Sequence, residues 1–195
     1  YPSIVGGGAN GCILHYIENT APLKDGELVL IDAGCEVECY ASDITRTFPV
    51  NGKFSPEQAA LYQLVLDSKS SVIEAIKPGV TFAKLNEIAN QQLTTGLYNL
   101  GILSGDLATL IAEKACKKYF IHGLGHWLGL DVHDVGLYSR PFEAGMVLTC
   151  EPGIYIPEEG IGCRLENNYL ITKEGNINLT EAMPIEIEDI EALMR

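Results

Sequence analysis

Histidines that could bind a metal or move a proton are concentrated in one stretch of the chain. Residues 122–134 read HGLGHWLGLDVHD and hold three of the four histidines. His122 and His126 are four residues apart, a spacing that chelates a metal from one face of a helix. Because the intervening glycines disfavour a helix, we expect an extended segment in which these two share a face. His133 lies seven residues after His126, so on an extended chain it would reach a site from a different direction. From this segment alone, the histidines form either a functional site or a structural feature.

A pair of aspartates offers the first carboxylates. Asp32 and Asp43 lie eleven residues apart in LIDAGCEVECYASDITR. A hairpin that turns at Val37 and Glu38 would place them directly opposite, with Cβ atoms about 4.5–5.5 Å apart. Two carboxylates that close share a proton or hold a cation between them. The structural alternative is that Asp32 ends a strand and Asp43 caps a turn.

Two glutamates extend this set. Glu151 follows the apolar stretch MVLTC, and Glu166 lies in GCRLENN, two residues after Arg164, so that on a strand these last two side chains point to one face. Acids near strand ends together with one histidine make an oxygen-rich site that suits manganese, with zinc or cobalt as alternatives. Arg164 would orient a ligand carboxylate or clamp a substrate carboxylate, unless it forms a surface salt bridge.

Periodicity and capping signals predict the elements that position these residues. SPEQ at 55–58 is typical of a helix start, with Ser55 as N-cap and Gln58 at the third helical position, and KPG at 77–79 ends that helix. Asp106 caps a third helix. We predict strands at 27–31, 44–50, 146–156 and 167–172, the last two joined by a turn at 158–160, and helices at 56–77, 82–99 and 106–118. Strands, then helices, then strands indicate an α+β domain.

Composition excludes several classes of partner. The chain has 195 residues, a net charge of −13 and 47% hydrophobic residues, which suits one globular domain. Such acidity repels nucleic acid and anionic lipid, so we expect neither as a partner, and no apolar run is long enough to span a membrane. The acidity itself indicates either a solvated surface or carboxylates gathered around metal. The first residues, YPSIVGGGANG, do not resemble a signal peptide.

The cysteines predict a reducing compartment. The six cysteines form no CxxC pair. A domain of this size does not need disulfides, so we expect buried free thiols and a cytoplasmic location. A bond between Cys35 and Cys39 across a turn is the one disulfide that we keep as an alternative.

Five of these residues, in the right order, resemble the metal ligands of a known family, the pita-bread metallopeptidases. The five occur in the motifs DAG, SDITRTF, HGLGHWLGLDVHD, MVLTCEPGIY and RLE, and are Asp32, Asp43, His126, Glu151 and Glu166. More narrowly, NGCILHY, SDITRTFPVNGKF and HGLGHWLGLDVHDVG resemble the Xaa-Pro aminopeptidases, with the Xaa-Pro dipeptidases as nearest relatives. Only fourteen residues separate Glu151 from Glu166, which favours the aminopeptidases over the dipeptidases.

The resemblance implies a pita-bread fold, a curved antiparallel sheet with helices on its outer face, and a site for two divalent ions, usually manganese. Asp32 would bind one ion, His126 and Glu151 the other, and Asp43 and Glu166 both. A hydroxide bridging the ions would attack the bond before a proline in second position of a peptide substrate.

The resemblance also implies roles for residues beside the metals. His133 resembles a histidine that shuttles protons and contacts substrate. His122 and the distant His15 resemble histidines that line the site for the proline and its flanking carbonyl. Arg164 matches a family residue near the site. A non-catalytic binding module on the same scaffold is the alternative from another class, and the complete ligand set disfavours it.

One departure from the family concerns the start of the chain. Helices precede the NGCILHY strand in the family, whereas this chain begins just before it. We therefore expect residues 1–195 to form a partial metallopeptidase catalytic domain from which the N-terminal helices of the fold are missing. Ile13, Leu28 and Leu30 would then lie open on the sheet, and the chain would form a homo-oligomer or depend on the missing N-terminal segment.

Overall fold

Strands and helices follow one another in the predicted α+β order. The computed structural model describes residues 1–195, and the strands lie at both ends of the chain with three helices between them. The strands are β1 (Ile4–Gly7), β2 (Leu28–Ala33), β3 (Glu36–Val37), β4 (Tyr40–Ala41), β5 (Ile44–Pro49), β6 (Val147–Cys150), β7 (Gly153–Ile156), β8 (Ile161–Arg164), β9 (Asn167–Ile171) and β10 (Asn176–Asn178). The helices are α1 (Pro56–Ala75), α2 (Phe82–Asn99), α3 (Leu107–Ala112) and α4 (Ile187–Leu193).

The first sheet has the order β1-β2-β5, and all of its pairs are antiparallel. Its register corrects one prediction: Asp32 lies opposite Thr45, not opposite Asp43. The hairpin turns at Glu38 and Cys39, whose φ angles are 51° and 67°, one residue later than expected. This left-handed pair forms a two-residue turn without the usual glycine or asparagine, so the sequence contained no signal for its position. Asp43 remains on the face of Asp32 as its diagonal neighbour.

A second sheet has the order β10-β9-β6, and β7 and β8 form a separate hairpin. The turn predicted at 158–160 joins β7 to β8, while β9 pairs with β6, so the prediction that this turn leads into β9 was wrong. The hydroxyl of Thr47 donates to the carbonyl of Arg164, and the amide of Glu166 donates to the carbonyl of Thr45. These bonds attach β5 to the end of β8 and to Glu166, the residue just before β9, and so connect the first sheet to the hairpin and to the second sheet.

The helices cover one side of these sheets and form the main core with them. A cluster of 29 buried residues combines side chains of α1 and α2 with side chains of the second sheet. The capping box predicted at Ser55 and Gln58 is present at the start of α1, and Asp106 caps α3 as predicted. The third helix is shorter than expected, because Lys114 adopts a left-handed φ of 55° and residues 115–118 form a separate 3₁₀ turn. Helix α4 was not predicted from the sequence.

Three expectations about the first strands were wrong. NGCILHY is not a strand: residues 8–12 form a 3₁₀ turn, and the strand that pairs with β2 is β1. Leu28 and Leu30 are buried, at 3% and 2% exposure, so these two side chains are not left open on the sheet. Leu30 packs in a small cluster with Tyr155, a residue far away in sequence. Ile13 is exposed, as expected.

All six cysteines are free, but only Cys116, Cys150 and Cys163 are buried, so the expectation of buried thiols was wrong for the other three. Cys35 and Cys39 are exposed and do not form the alternative disulfide. None of the helices combines the length and the apolar character that a membrane crossing requires.

We expect Ser55→Ala to lower the free energy of unfolding by about 1 kcal/mol, because it removes the side chain that accepts from the amide of Gln58. Urea denaturation monitored by circular dichroism measures this change. Ser70→Ala is the matched control, since Ser70 is exposed in the middle of the same helix. Equal destabilisation by both substitutions would contradict the capping assignment.

Candidate metal centre and active-site cavity

One cavity of about 320 Å³ collects the residues singled out by the sequence analysis. All four histidines line it, although His15 is more than 100 residues from the others. Its polar lining comprises His15, Asp32, Asp43, His122, His126, His133, Tyr138, Glu151 and Arg164. Of the predicted site residues only Glu166 does not line the cavity, because its side chain is buried beneath it at 1% exposure.

The four carboxylates converge because each lies at or beside the end of a strand. Asp32 is near the end of β2, Asp43 immediately precedes β5, Glu151 immediately follows β6, and Glu166 lies between β8 and β9. Potential ligand atoms of His126, Glu151 and Glu166 all lie within 4.8 Å of one another, and so do those of Asp32, Asp43 and Glu166. Glu166 belongs to both groups, and Asp43 is also within this distance of His126 and His133, so the cluster has two lobes that adjoin at Glu166 and Asp43.

His126 presents one nitrogen to this cluster. The segment from Leu124 to Leu128 is extended beside β6, as predicted, with the amide of Thr149 bonded to the carbonyl of His126. A Cβ on Gly125 would lie 2.0 Å from the carbonyl oxygen of Thr149, so this close approach requires glycine. Nδ1 of His126 lies 2.9 Å from the carbonyl of Trp127 and therefore carries the proton. Nε2 is left facing Asp43 and Glu151, at 3.4 and 3.5 Å.

The carboxylate cluster lacks sufficient positive charge from the protein. Burial raises the pKa of Glu151 to about 7, and burial together with the neighbouring carboxylates raises the pKa of Glu166 well above its usual value. Oε2 of Glu166 accepts from the hydroxyl of Thr45 at 2.6 Å, but Oε1 is buried without any hydrogen-bond partner. A buried carboxylate oxygen without a partner is costly. Together, the four carboxylates and one imidazole nitrogen form a donor set that fits divalent cations.

Arg164 is buried in the wall of the cavity rather than placed on the protein surface. Its side chain is 3% exposed, so the predicted alternative of a surface salt bridge was wrong. Nη2 donates to Asp32 at 2.7 Å, Nη1 to the hydroxyl of Tyr155 at 2.9 Å, and Nε to Thr45 at 3.2 Å. Three donors are therefore committed within the protein, and this geometry favours orientation of Asp32 over capture of a substrate carboxylate.

The same network determines the state of His122. Its Nδ1 lies 2.7 Å from the carbonyl of Gly123, so this nitrogen carries the proton. Nε2 therefore accepts from the hydroxyl of Tyr155, at 2.8 Å, while that hydroxyl accepts from Arg164. Burial lowers the pKa of His122 to about 3, which keeps the ring neutral. Both nitrogens are occupied, and the ring forms a fixed wall of the cavity.

His133 and His15 differ from His122 in being exposed and free of hydrogen bonds within the protein. The His133 ring centroid lies 4.0 Å from that of His126, and its ligand atoms are close to those of Asp43. Burial and the neighbouring His126 lower the pKa of His133. An imidazole with uncommitted nitrogens beside the carboxylates is placed to exchange protons with a bound substrate.

Sequence reasoning missed three residues that hold the ligands. The hydroxyl of Tyr1 lies 2.8 Å from Oδ1 of Asp32 and 2.6 Å from Oδ1 of Asp43, so that its one proton is shared between the two carboxylates, and Tyr155 connects Arg164 to His122. Neither tyrosine lies in a local pattern that predicts these contacts. Thr45 was detectable, because it lies two residues after Asp43 and alternation on a strand gives both the same face.

Comparison with known proteins places this geometry in a family. Xaa-Pro aminopeptidases from Haemophilus influenzae and Escherichia coli are 56% and 52% identical to the chain over its full length. Solved structures of aminopeptidase P from Escherichia coli and proline aminopeptidase P II from Yersinia pestis superpose with a TM-score of 0.97 at 50% and 53% identity, and cover 100% of this chain.

These matches confirm the expected pita-bread fold. The chain spans about half the length of the relatives it matches, 47–48% of the two curated proteins and of the two solved chains. The model of metallopeptidase family M24 matches residues 1–173, and this range contains every predicted site residue. The chain belongs to metallopeptidase family M24.

Proposed function

We propose that the protein to which this chain belongs is a metal-dependent exopeptidase that releases the N-terminal residue from peptides with proline in second position. The convergence of Asp32, Asp43, His126, Glu151 and Glu166 beside one cavity carries this proposal. Its support from comparison is that relatives more than half identical to the chain are named Xaa-Pro aminopeptidases. Six free cysteines support a cytoplasmic location.

Two divalent ions would occupy the two lobes of the cluster. Asp32 would bind one ion, His126 and Glu151 the other, and Asp43 and Glu166 both. The position of Glu166 in both lobes and its unpartnered Oε1 support this arrangement. The preponderance of carboxylate oxygens favours manganese, with zinc or cobalt as alternatives, and a zinc-substituted Escherichia coli aminopeptidase P with product is among the structural neighbours. When bound, the ions would acidify water and polarise the scissile carbonyl.

The residues of the chain supply positioning and proton transfer. Thr45 and Arg164 hold Glu166 and Asp32 in place by hydrogen bonds. The neutral ring of His122, fixed by Tyr155, and the exposed ring of His15 form the walls for the proline and its flanking carbonyl. His133, whose nitrogens are uncommitted, would transfer the proton between the attacking group and the leaving amine.

We expect a chelator-treated protein to bind about two manganese ions per chain and to gain about 2.7 kcal/mol of stability for each ion at a free metal concentration a hundredfold above its Kd. The physical reason is that the ions neutralise four crowded carboxylates. Metal analysis and thermal denaturation measure the two effects. Glu166→Gln should weaken binding, whereas Glu174→Gln, in an exposed turn, serves as the matched control. Saturation at one ion per chain would contradict the two-ion site.

We expect His133→Ala to lower kcat by about 100-fold without weakening metal binding, because a proton shuttle acts on the transition state while the ligand set stays complete. Steady-state kinetics and metal titration, performed on a protein of the relatives' full length, test both parts. Asp131→Ala is the control, since Asp131 is exposed on the same loop. A matching loss of metal affinity would instead identify His133 as a metal ligand. This is the competing role for His133, because its ring nitrogens lie close to potential ligand atoms of Asp43 and His126.

We expect the full-length protein to cleave Arg-Pro-Pro faster than an Xaa-Pro dipeptide, and a tripeptide without proline least. The open cavity gives a substrate's carboxyl side room to extend, since Arg164 is committed to Asp32 rather than free to bind a terminal carboxylate. Comparison of kcat/KM for the three peptides measures this order of preference. Preference for the dipeptide would assign an Xaa-Pro dipeptidase, and absence of hydrolysis with metal bound would assign a non-catalytic binding module.

A further inference from the structure

Lys69 is a buried lysine that none of the roles above uses. It lies on α1, its side chain reaches into the core, and it is 2% exposed. Its ammonium donates to the carbonyl of Cys150 at 3.2 Å and to the hydroxyl of Tyr169 at 2.9 Å, and lies 4.8 Å from the centroid of the Tyr169 ring. Burial lowers the pKa of Lys69 to about 8, which leaves the ammonium charged at neutral pH.

The two partners of Lys69 belong to the two strands that end at the glutamates. Cys150 is the last residue of β6, and Tyr169 is on β9. In the ladder between these strands Cys150 pairs with Asn167, so the chain continues directly into Glu151 on one side and comes directly from Glu166 on the other. Lys69 therefore links β6 and β9 close to the point where both strands reach the metal centre.

The choice of lysine at this place requires an explanation. An ammonium is costly to bury, and methionine would fill similar space without that cost. The neighbouring titratable groups act in both directions on its pKa: Cys150, and to a smaller extent Glu166 and Glu151, favour the ammonium, while Arg46 opposes it. A residue that only fills space does not need a positive charge at this position. A residue that joins two strand ends beneath mutually repelling carboxylates does need one.

We propose that Lys69 is a positioning residue of the metal centre, which joins the ends of β6 and β9 so that Glu151 and Glu166 converge. This inference rests on the proposed metal-dependent function. Groups that orient metal ligands affect metal affinity strongly even when they do not touch the ion, typically by about 10- to 100-fold. If Lys69 only filled space, its removal would change stability and leave metal affinity unaltered.

The test compares Lys69→Met with Ser68→Ala in the full-length protein. Methionine preserves the unbranched stem and removes the ammonium, while Ser68 is the neighbouring buried polar residue, and its hydroxyl has no hydrogen-bond partner. We expect Lys69→Met to weaken manganese binding by about tenfold in calorimetric titration. In chelator, its melting temperature should equal or exceed that of the unmodified protein, because an expensive buried charge is gone. Ser68→Ala should leave the metal affinity unchanged.

The outcomes separate this inference from the function on which it rests. Absence of manganese binding to the unmodified protein would refute the proposed metal centre itself. With binding intact, unchanged affinity in Lys69→Met, increased affinity from the loss of a nearby positive charge, or a loss of affinity that only parallels a loss of stability in chelator, would overturn the positioning role. Should Lys69→Met fail to fold, Tyr169→Phe decides, since it removes one acceptor of the ammonium and should weaken metal binding in the same direction, to a smaller extent.

Discussion

Four carboxylates share one small buried volume, and their mutual repulsion is the constraint on which the rest of the structure depends. Two unit charges 4 Å apart repel by about 4 kcal/mol at the effective dielectric constant near a protein surface. Domain stability is only about 5–15 kcal/mol, so such a cluster persists only where compensating charge and a rigid scaffold are present. The strand ends and the buried cations around the cavity meet these two requirements.

The scaffold comes from strand ends, and the compensation comes from behind them. Arg164 forms an ion pair with Asp32, and the ammonium of Lys69 lies below the strands that carry Glu151 and Glu166. Arg46 donates to the carbonyls of Thr45 and Glu166, and so fixes the backbone between the sheets without neutralising a side chain. These cations and hydroxyl donors are committed to the protein, and the unpartnered oxygen of Glu166 marks where further positive charge from divalent ions is needed.

Local signals in the sequence predicted the elements that depend on neighbouring residues. The capping box of α1, the cap of α3 and the extended histidine segment follow from interactions within a few residues, and the structure contains them. The predicted hairpin register was wrong by two positions. The reason is that Glu38 and Cys39 adopt left-handed conformations, which are uncommon for glutamate and cysteine and therefore not predicted by their residue types. The closeness of Asp32 and Asp43 survived this error because a shift of two residues preserves the face of a strand.

The sequence by itself determined which groups are available: four acids near predicted strand ends, one cluster of histidines, and motifs that resemble the ligands of a known family. The tertiary structure alone decided how each group is used. It paired Arg164 with Asp32, occupied both nitrogens of His122, left those of His133 uncommitted, and buried Lys69 between β6 and β9. The physical reason is that hydrogen-bond partners and desolvation depend on residues distant in sequence, which are brought together only when the sheets and helices pack.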